Sequence, residues 1–123
     1  MSAKQDERRL APRTDERLPV VVTDAGVTLQ AETKNLSAAG VYCVLERFLA
    51  PMTKLQLRFA LPNGGRTQAV NCSGVVVRVE PVVNQPDQGR YNVAIFFTDL
   101  TDRDRAAIGR FVRQRLAAES PAE

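Results

Sequence analysis

The chain holds 123 residues with a formal net charge of +3, and 44% of them are hydrophobic, enough for one core and for no more than one ordinary domain. Two cysteines without CxxC spacing and no histidine exclude Ser–His and Cys–His nucleophile chemistry and deny a zinc site its usual ligands. No apolar run reaches the roughly 20 residues of a membrane-spanning helix, and the opening MSAKQDERRLAPR has no apolar stretch behind its charges, so a cytoplasmic protein with no secretory signal, membrane insertion or metal is expected.

Residues 1–17 are polar, contain Pro12 and show no apolar periodicity; they read as a flexible N-terminal arm. Leu18–Val22 is a β-branched run and predicts a first strand, closed by a turn at Asp24-Ala25-Gly26. Val27–Lys34 alternates with period two, placing Val27, Leu29, Ala31 and Thr33 on one buried face. Asn35–Gly40 interrupts it with turn chemistry, and Gly40–Leu45 returns. Thr53–Leu61 alternates strictly, with Leu55, Leu57, Phe59 and Leu61 facing inward, and Asn63-Gly64 marks a hairpin.

Thr67–Glu80 is a long strand whose pattern slips near Ser73-Gly74, where a bulge would turn Val75, Val77 and Val79 inward. Residues 81–90 form a loop, and Tyr91–Phe97 is the last strand. The period then becomes helical: Leu100, Ala107, Ile108, Phe111, Val112 and Leu116 share one face, with arginines opposite. Thr101 is the expected N-cap, and the chain frays from residue 117. The fold class is all-β with one terminal helix: a closed antiparallel barrel over residues 18–118, with the helix covering a mouth or an outer wall, and a disordered tail over 119–123.

Two motifs carry candidate chemistry. Arg8-Arg9-Leu10-Ala11-Pro12-Arg13 is an RRxxxR pattern on the arm, and Asn35-Leu36-Ser37-Ala38-Ala39-Gly40 is an NxSxxG pattern between two strands. Taken alone, the first is a solvated charge run and the second an ordinary turn, with Gly40 free to adopt positive φ. Taken functionally, arginines offer flat bidentate forks. Asn35 and Ser37 project polar groups off the barrel wall, and Gly40 lets a flat ligand approach the backbone. Cys43 and Cys72 read as small buried hydrophobes. No basic stripe suits a long polyanion. With aromatics at 6% and no Trp, an RNA binder lacks stacking groups, and nucleic acid is not an expected partner. An enzyme has no nucleophile, metal set or acid–base pair to support it.

RRxxxR, then about twenty residues holding a strand–turn–strand, then NxSxxG, resembles the PilZ domain family, and the likeness continues through YNVAIFF and TDLTDRDRAAIGRFVRQRL to about residue 116. The resemblance implies a six-stranded barrel with a closing C-terminal helix and a receptor for the bacterial second messenger cyclic di-GMP, with no cofactor. It assigns Arg9 and Arg13 as the principal arginines and Asn35, Ser37 and Gly40 as the base-contacting set. Arg8 goes with two stacked ligand molecules per site. Asn35 stands where Asp is frequent and keeps an acceptor oxygen. The chemistry is consistent, since a guanine edge suits a bidentate Arg and its face suits a stacked one. The resemblance further implies that ligand orders the arm and that an effector protein, in motility or biofilm regulation, receives the signal. The alternative is a PilZ-like protein-interaction module that binds no nucleotide.

Overall fold

The computed structural model describes residues 13–82 and 89–119, with backbone alone at Arg13, Asn63, Ala118 and Glu119. Seven strands precede one helix: β1 (Arg13–Thr14), β2 (Pro19–Asp24), β3 (Val27–Ser37), β4 (Gly40–Leu45), β5 (Lys54–Asn63), β6 (Arg66–Pro81), β7 (Tyr91–Phe97) and α1 (Asp102–Glu119). All pairings are antiparallel, and the sheet runs β3-β2-β5-β6-β7-β4 and returns to β3 through the β3–β4 pairing. The six-stranded barrel is therefore closed, and closure leaves none of its six strands as an edge.

Alternation fills the interior as the sequence predicts in β5 and β7, whereas Val27, expected on the buried face of β3, is exposed at the start of that strand. Val20 and Val22 of β2, Leu55, Leu57, Phe59 and Leu61 of β5, and Val93, Ile95 and Phe97 of β7 are all buried. The β2–β3 and β5–β6 turns, Ala25-Gly26 and Gly64-Gly65, have positive φ at both central positions, which matches the twist of the strands they join.

The slip in β6 falls later than the alternation suggests. Val70, Cys72, Gly74 and Val76 face inward in unbroken period, and the register against β7 shifts between Val76 and Arg78. Gly74 keeps its inward place because Ile95 Cγ2 and Leu57 Cδ1 fill the volume that a Cβ would need. Val76 is also the last β6 residue held from the β5 side, by its bonds with Met52 and Thr53. Beyond it β6 has only β7, so the extra residue is accommodated there. Val75 is consequently half-buried rather than inward, and Val77 is exposed.

Helix α1 begins at the expected N-cap: the Thr101 hydroxyl accepts the Asp104 amide at 3.1 Å. Its buried stripe of Ala107, Ile108, Phe111 and Val112 joins the same core as the barrel interior, packing against β1, β3 and β5. It caps the end of the barrel and runs through Glu119, past the fraying point expected at 117.

The arm is shorter than the sequence suggests. Residues 13–18 are docked on the barrel: β1 pairs with β3, Thr14 and Leu18 are buried, and Glu16 meets Arg115 of α1 at 2.9 Å. The reason is Thr33. Its buried hydroxyl accepts the Leu18 amide at 3.0 Å and donates to the Glu16 carbonyl at 3.0 Å, while its own amide bonds the Leu18 carbonyl at 2.8 Å. Residues 1–12, 83–88 and 120–123 lie outside the described residues.

Thr33→Val keeps the shape but strands the buried Leu18 amide, so chemical denaturation should show a loss of about 1–3 kcal/mol, with Thr33→Ser restoring most of it. The interior thiols give a second expectation. Burial pushes Cys43 up to about 12, and burial aided by Asp99 and Asp104 pushes Cys72 up to about 11. At neutral pH both stay protonated, so a thiol reagent should label the native protein only at its unfolding rate.

Candidate functional site

The site is created by one irregularity. On β3 the inward positions run Leu29, Ala31, Thr33. Continued without interruption, that period would bury Asn35 and Ser37. The β3–β4 register shifts between Thr33 and Asn35, leaving Lys34 as the extra residue. Leu36 then takes the inward place and is fully buried, and Asn35 and Ser37 turn to the outer wall. NxS is thus strand rather than turn, as the turn chemistry of Asn and Ser had suggested. The reversal itself is confined to Ala38-Ala39.

Lys34 is held outside as well. Its Nζ lies 5.8 Å from the centre of the Tyr42 ring and 3.4 Å from Asn92 Oδ1.

Ser37 organises the reversal. Its hydroxyl accepts the amides of Ala39 at 3.1 Å and Gly40 at 3.3 Å and donates to the Gly40 carbonyl at 3.5 Å. The Ala38 carbonyl accepts from Arg105 of α1 at 3.0 Å, and the Ala39 carbonyl accepts the Phe97 amide at 3.0 Å. The turn is therefore tied to the helix and to β7 at once. Gly40 is fixed by a neighbour that its place in the sequence does not reveal. Its φ is not positive. A Cβ there would collide with the Ile95 carbonyl oxygen and lie 3.2 Å from Phe96 Cα. The close passage of β7 is enough by itself to require glycine there.

Asn35 differs from these. It is half-buried, paired with Tyr42 across the β3–β4 ladder, and its side chain makes no hydrogen bond to another described residue. A carboxamide with two donors and an acceptor oxygen is left uncommitted on the wall.

The two sequence motifs meet in the backbone. Arg13 pairs with Ser37 and Thr14 with Leu36. Arg8, Arg9 and the side chain of Arg13 lie outside the described residues. Sequence reasoning missed Thr33, which anchors the arm, and Arg105, which braces the turn. Thr33 had a signal: it is the one polar residue at the end of an apolar inward set. Arg105 had none, because its partner is a backbone carbonyl contributed by a distant segment. Among the described residues, no group of three or more His, Cys, Asp or Glu side chains is placed to hold a metal ion, and no helix is long and apolar enough to cross a membrane.

A closed six-stranded barrel, capped by a C-terminal helix and carrying its polar motif on an outward bulge, defines a recognisable class of small β-barrel domain. The PilZ domain family profile matches residues 7–114, and the chain belongs to that family. No curated protein matches its sequence.

Among solved structures it is similar to the inhibitor of motility MotI/DgrA from Bacillus subtilis, with TM-score 0.82 and 22% identity over 93% of this chain and 54% of that one. It is also similar to Escherichia coli YcgR, solved in complex with c-di-GMP, with TM-score 0.67 and 17% identity over 92% of this chain and 49% of that one. A third is the PilZ domain of CeSA from a cellulose-synthesising bacterium, with TM-score 0.52 and 18% identity over 85% of this chain and 97% of that one. The chain spans about half the length of the MotI/DgrA and YcgR chains.

Gly40→Ala should lose about 1–3 kcal/mol through overpacking, measured by denaturant unfolding without any ligand. An unchanged midpoint would show that β7 passes farther from Gly40 than described.

Proposed function

We propose that this chain is a receptor for cyclic di-GMP that binds the dinucleotide on the outer wall, between the arm arginines and the β3–β4 turn. The observation that carries the reading is the pairing of Arg13 with Ser37, which brings the start of NxSxxG alongside the end of RRxxxR. Membership of the PilZ family supports it, as does a structural neighbour solved with that nucleotide. The uncommitted Asn35 amide beside this pairing supplies donors and an acceptor for a guanine edge.

Reach is sufficient for the remaining arginines. Arg9 lies four residues before the anchored Arg13, and an extended chain covers about 3.3–3.6 Å per residue, so its guanidinium can cross the wall. One arginine stacks on a purine and another takes its O6/N7 edge, a pairing that discriminates by about 1–3 kcal/mol. Arg8 supplies a further stacking face, which fits two stacked ligand molecules. No bond is made or broken.

Because residues 13–18 are already docked, the ordering on binding falls on the residues before Arg13. That ordering costs entropy at the moment of binding. The covered surface is then the signal to a protein partner. Ser37 and Gly40 serve the turn first, so their contribution to the ligand is mainly the shape they maintain.

Calorimetric titration of cyclic di-GMP into the full chain, Arg13→Ala and Asn35→Ala tests the reading. Binding to the wild type with a stoichiometry of about two, cut tenfold or more in each variant, is expected. Equal binding in all three would move the ligand elsewhere. No binding to the wild type would leave the alternative, an interaction module without nucleotide.

A further inference from the structure

Ladder registers give the wall beyond Asn35 a definite layout. One cross-strand row runs Asn35, Tyr42, Ala94, Arg78 over β3, β4, β7 and β6. The next runs Gly40, Phe96, Val75, Lys54 over β4, β7, β6 and β5. Large and small residues alternate on the diagonal: Tyr42 and Phe96 are aromatic, while Gly40 and Ala94 have almost no side chain. Diagonal neighbours on adjacent strands lie roughly 7–8 Å apart, which places the two aromatic positions on the same wall as diagonal neighbours of β4 and β7.

Phe96 is 53% exposed although its chain neighbours Ile95 and Phe97 are buried. An apolar ring left in water on a barrel wall contributes nothing to the core. The same alternation that buries Val93, Ile95 and Phe97 requires this position to face out. The ring sits directly across from Gly40, the last residue of the NxSxxG motif. The Gly40 backbone offers it no competing side chain, and the Phe97 amide is bonded to the Ala39 carbonyl at 3.0 Å, which ties the shelf to the turn. Tyr42 is the less available of the two rings, because Lys34 lies over it. The far ends of the rows carry the cations Arg78 and Lys54, which suit an anionic ligand.

We infer that Phe96 is a stacking shelf for a purine base of the bound cyclic dinucleotide, on the strand that pairs with the end of the NxSxxG motif. This rests on the reading of the wall as a cyclic di-GMP site and extends it from β3 across β4 to β7. A base stacked there has its flat face toward the Phe96 ring, with the phosphates toward the cationic flanks. Stacking of this kind tolerates any purine, so it adds affinity while Asn35 and the arginines supply base selection.

The test is calorimetric titration of cyclic di-GMP into the full chain, Phe96→Ala, Phe96→Tyr and Asn35→Ala, with thermal midpoints measured in parallel. Phe96→Ala should weaken binding about tenfold, with its midpoint within a degree of wild type because the ring is outside the core. Phe96→Tyr should bind within twofold. In the wild-type complex the Phe96 ring protons should move upfield under the base ring current.

If Phe96→Ala binds within twofold of wild type while Asn35→Ala loses binding, the shelf is wrong and the site stands. If wild type shows no binding, site and shelf fall together. If Phe96→Ala leaves binding intact and instead abolishes self-association in sedimentation, the ring is a contact between copies and the inference is overturned.

Discussion

Everything on the outer wall depends on one extra residue in β3. Strand side chains alternate strictly, so a barrel strand cannot carry inward residues at Leu29, Ala31 and Thr33 and outward ones at Asn35 and Ser37 without a change of phase. Lys34 provides it. The same step buries Leu36 in the core and leaves Thr33, the last residue before the bulge, as the anchor for Glu16 and Leu18. One insertion thus exposes the polar motif and fixes the segment that brings Arg13 beside it. Placing the polar motif on a bulge makes its orientation a property of the whole barrel, since the register on both sides would have to slip to undo it.

The motif residues divide by what they do for the fold. Ser37 satisfies two amides of the turn that it begins, and Gly40 clears the path of β7. Both would be needed in a domain of this shape whether or not it bound a nucleotide. Asn35 has no such duty among the described residues. It is the motif position at which binding and folding can be separated by substitution. Arg105 adds a connection in the other direction, from the turn to the first turns of α1. Glu16 and Arg115 form a second link, between the docked arm and the later part of the same helix. The turn and the docked arm segment therefore both touch α1, so a ligand resting on this wall as proposed would lie against elements tied to the helix.

Much of this was legible in the residues. Alternation in Thr53–Leu61 and Tyr91–Phe97 and the Thr101 cap specify local structure by short-range physics, as does the hairpin signal at Asn63-Gly64, although the turn itself falls one residue later, at Gly64-Gly65. What was not legible involved exchange between distant segments. The Ser73-Gly74 slip misled because Gly74 offers no side chain to mark its inward place; Leu57, Ile95 and the Phe96 carbonyl fill it. The arm read as free because its polar composition hides a buried Thr14 and a clamp supplied by Thr33. The Gly40 requirement comes from a strand more than fifty residues later in the chain. Phe96 was readable by parity, yet a search for core residues passes over the outward positions of a strand.

The central claim is that cyclic di-GMP rests on the wall that the Lys34 bulge turns outward. A nitrogen-15 amide titration of the full chain with cyclic di-GMP tests it most directly. The account predicts saturable shifts confined to the first residues through Glu16, to Asn35–Gly40 and to Ala94–Phe97, with the amides of the Pro62–Thr67 hairpin unmoved. Shifts that centre on that opposite hairpin, or a spectrum indifferent to the nucleotide, would contradict it.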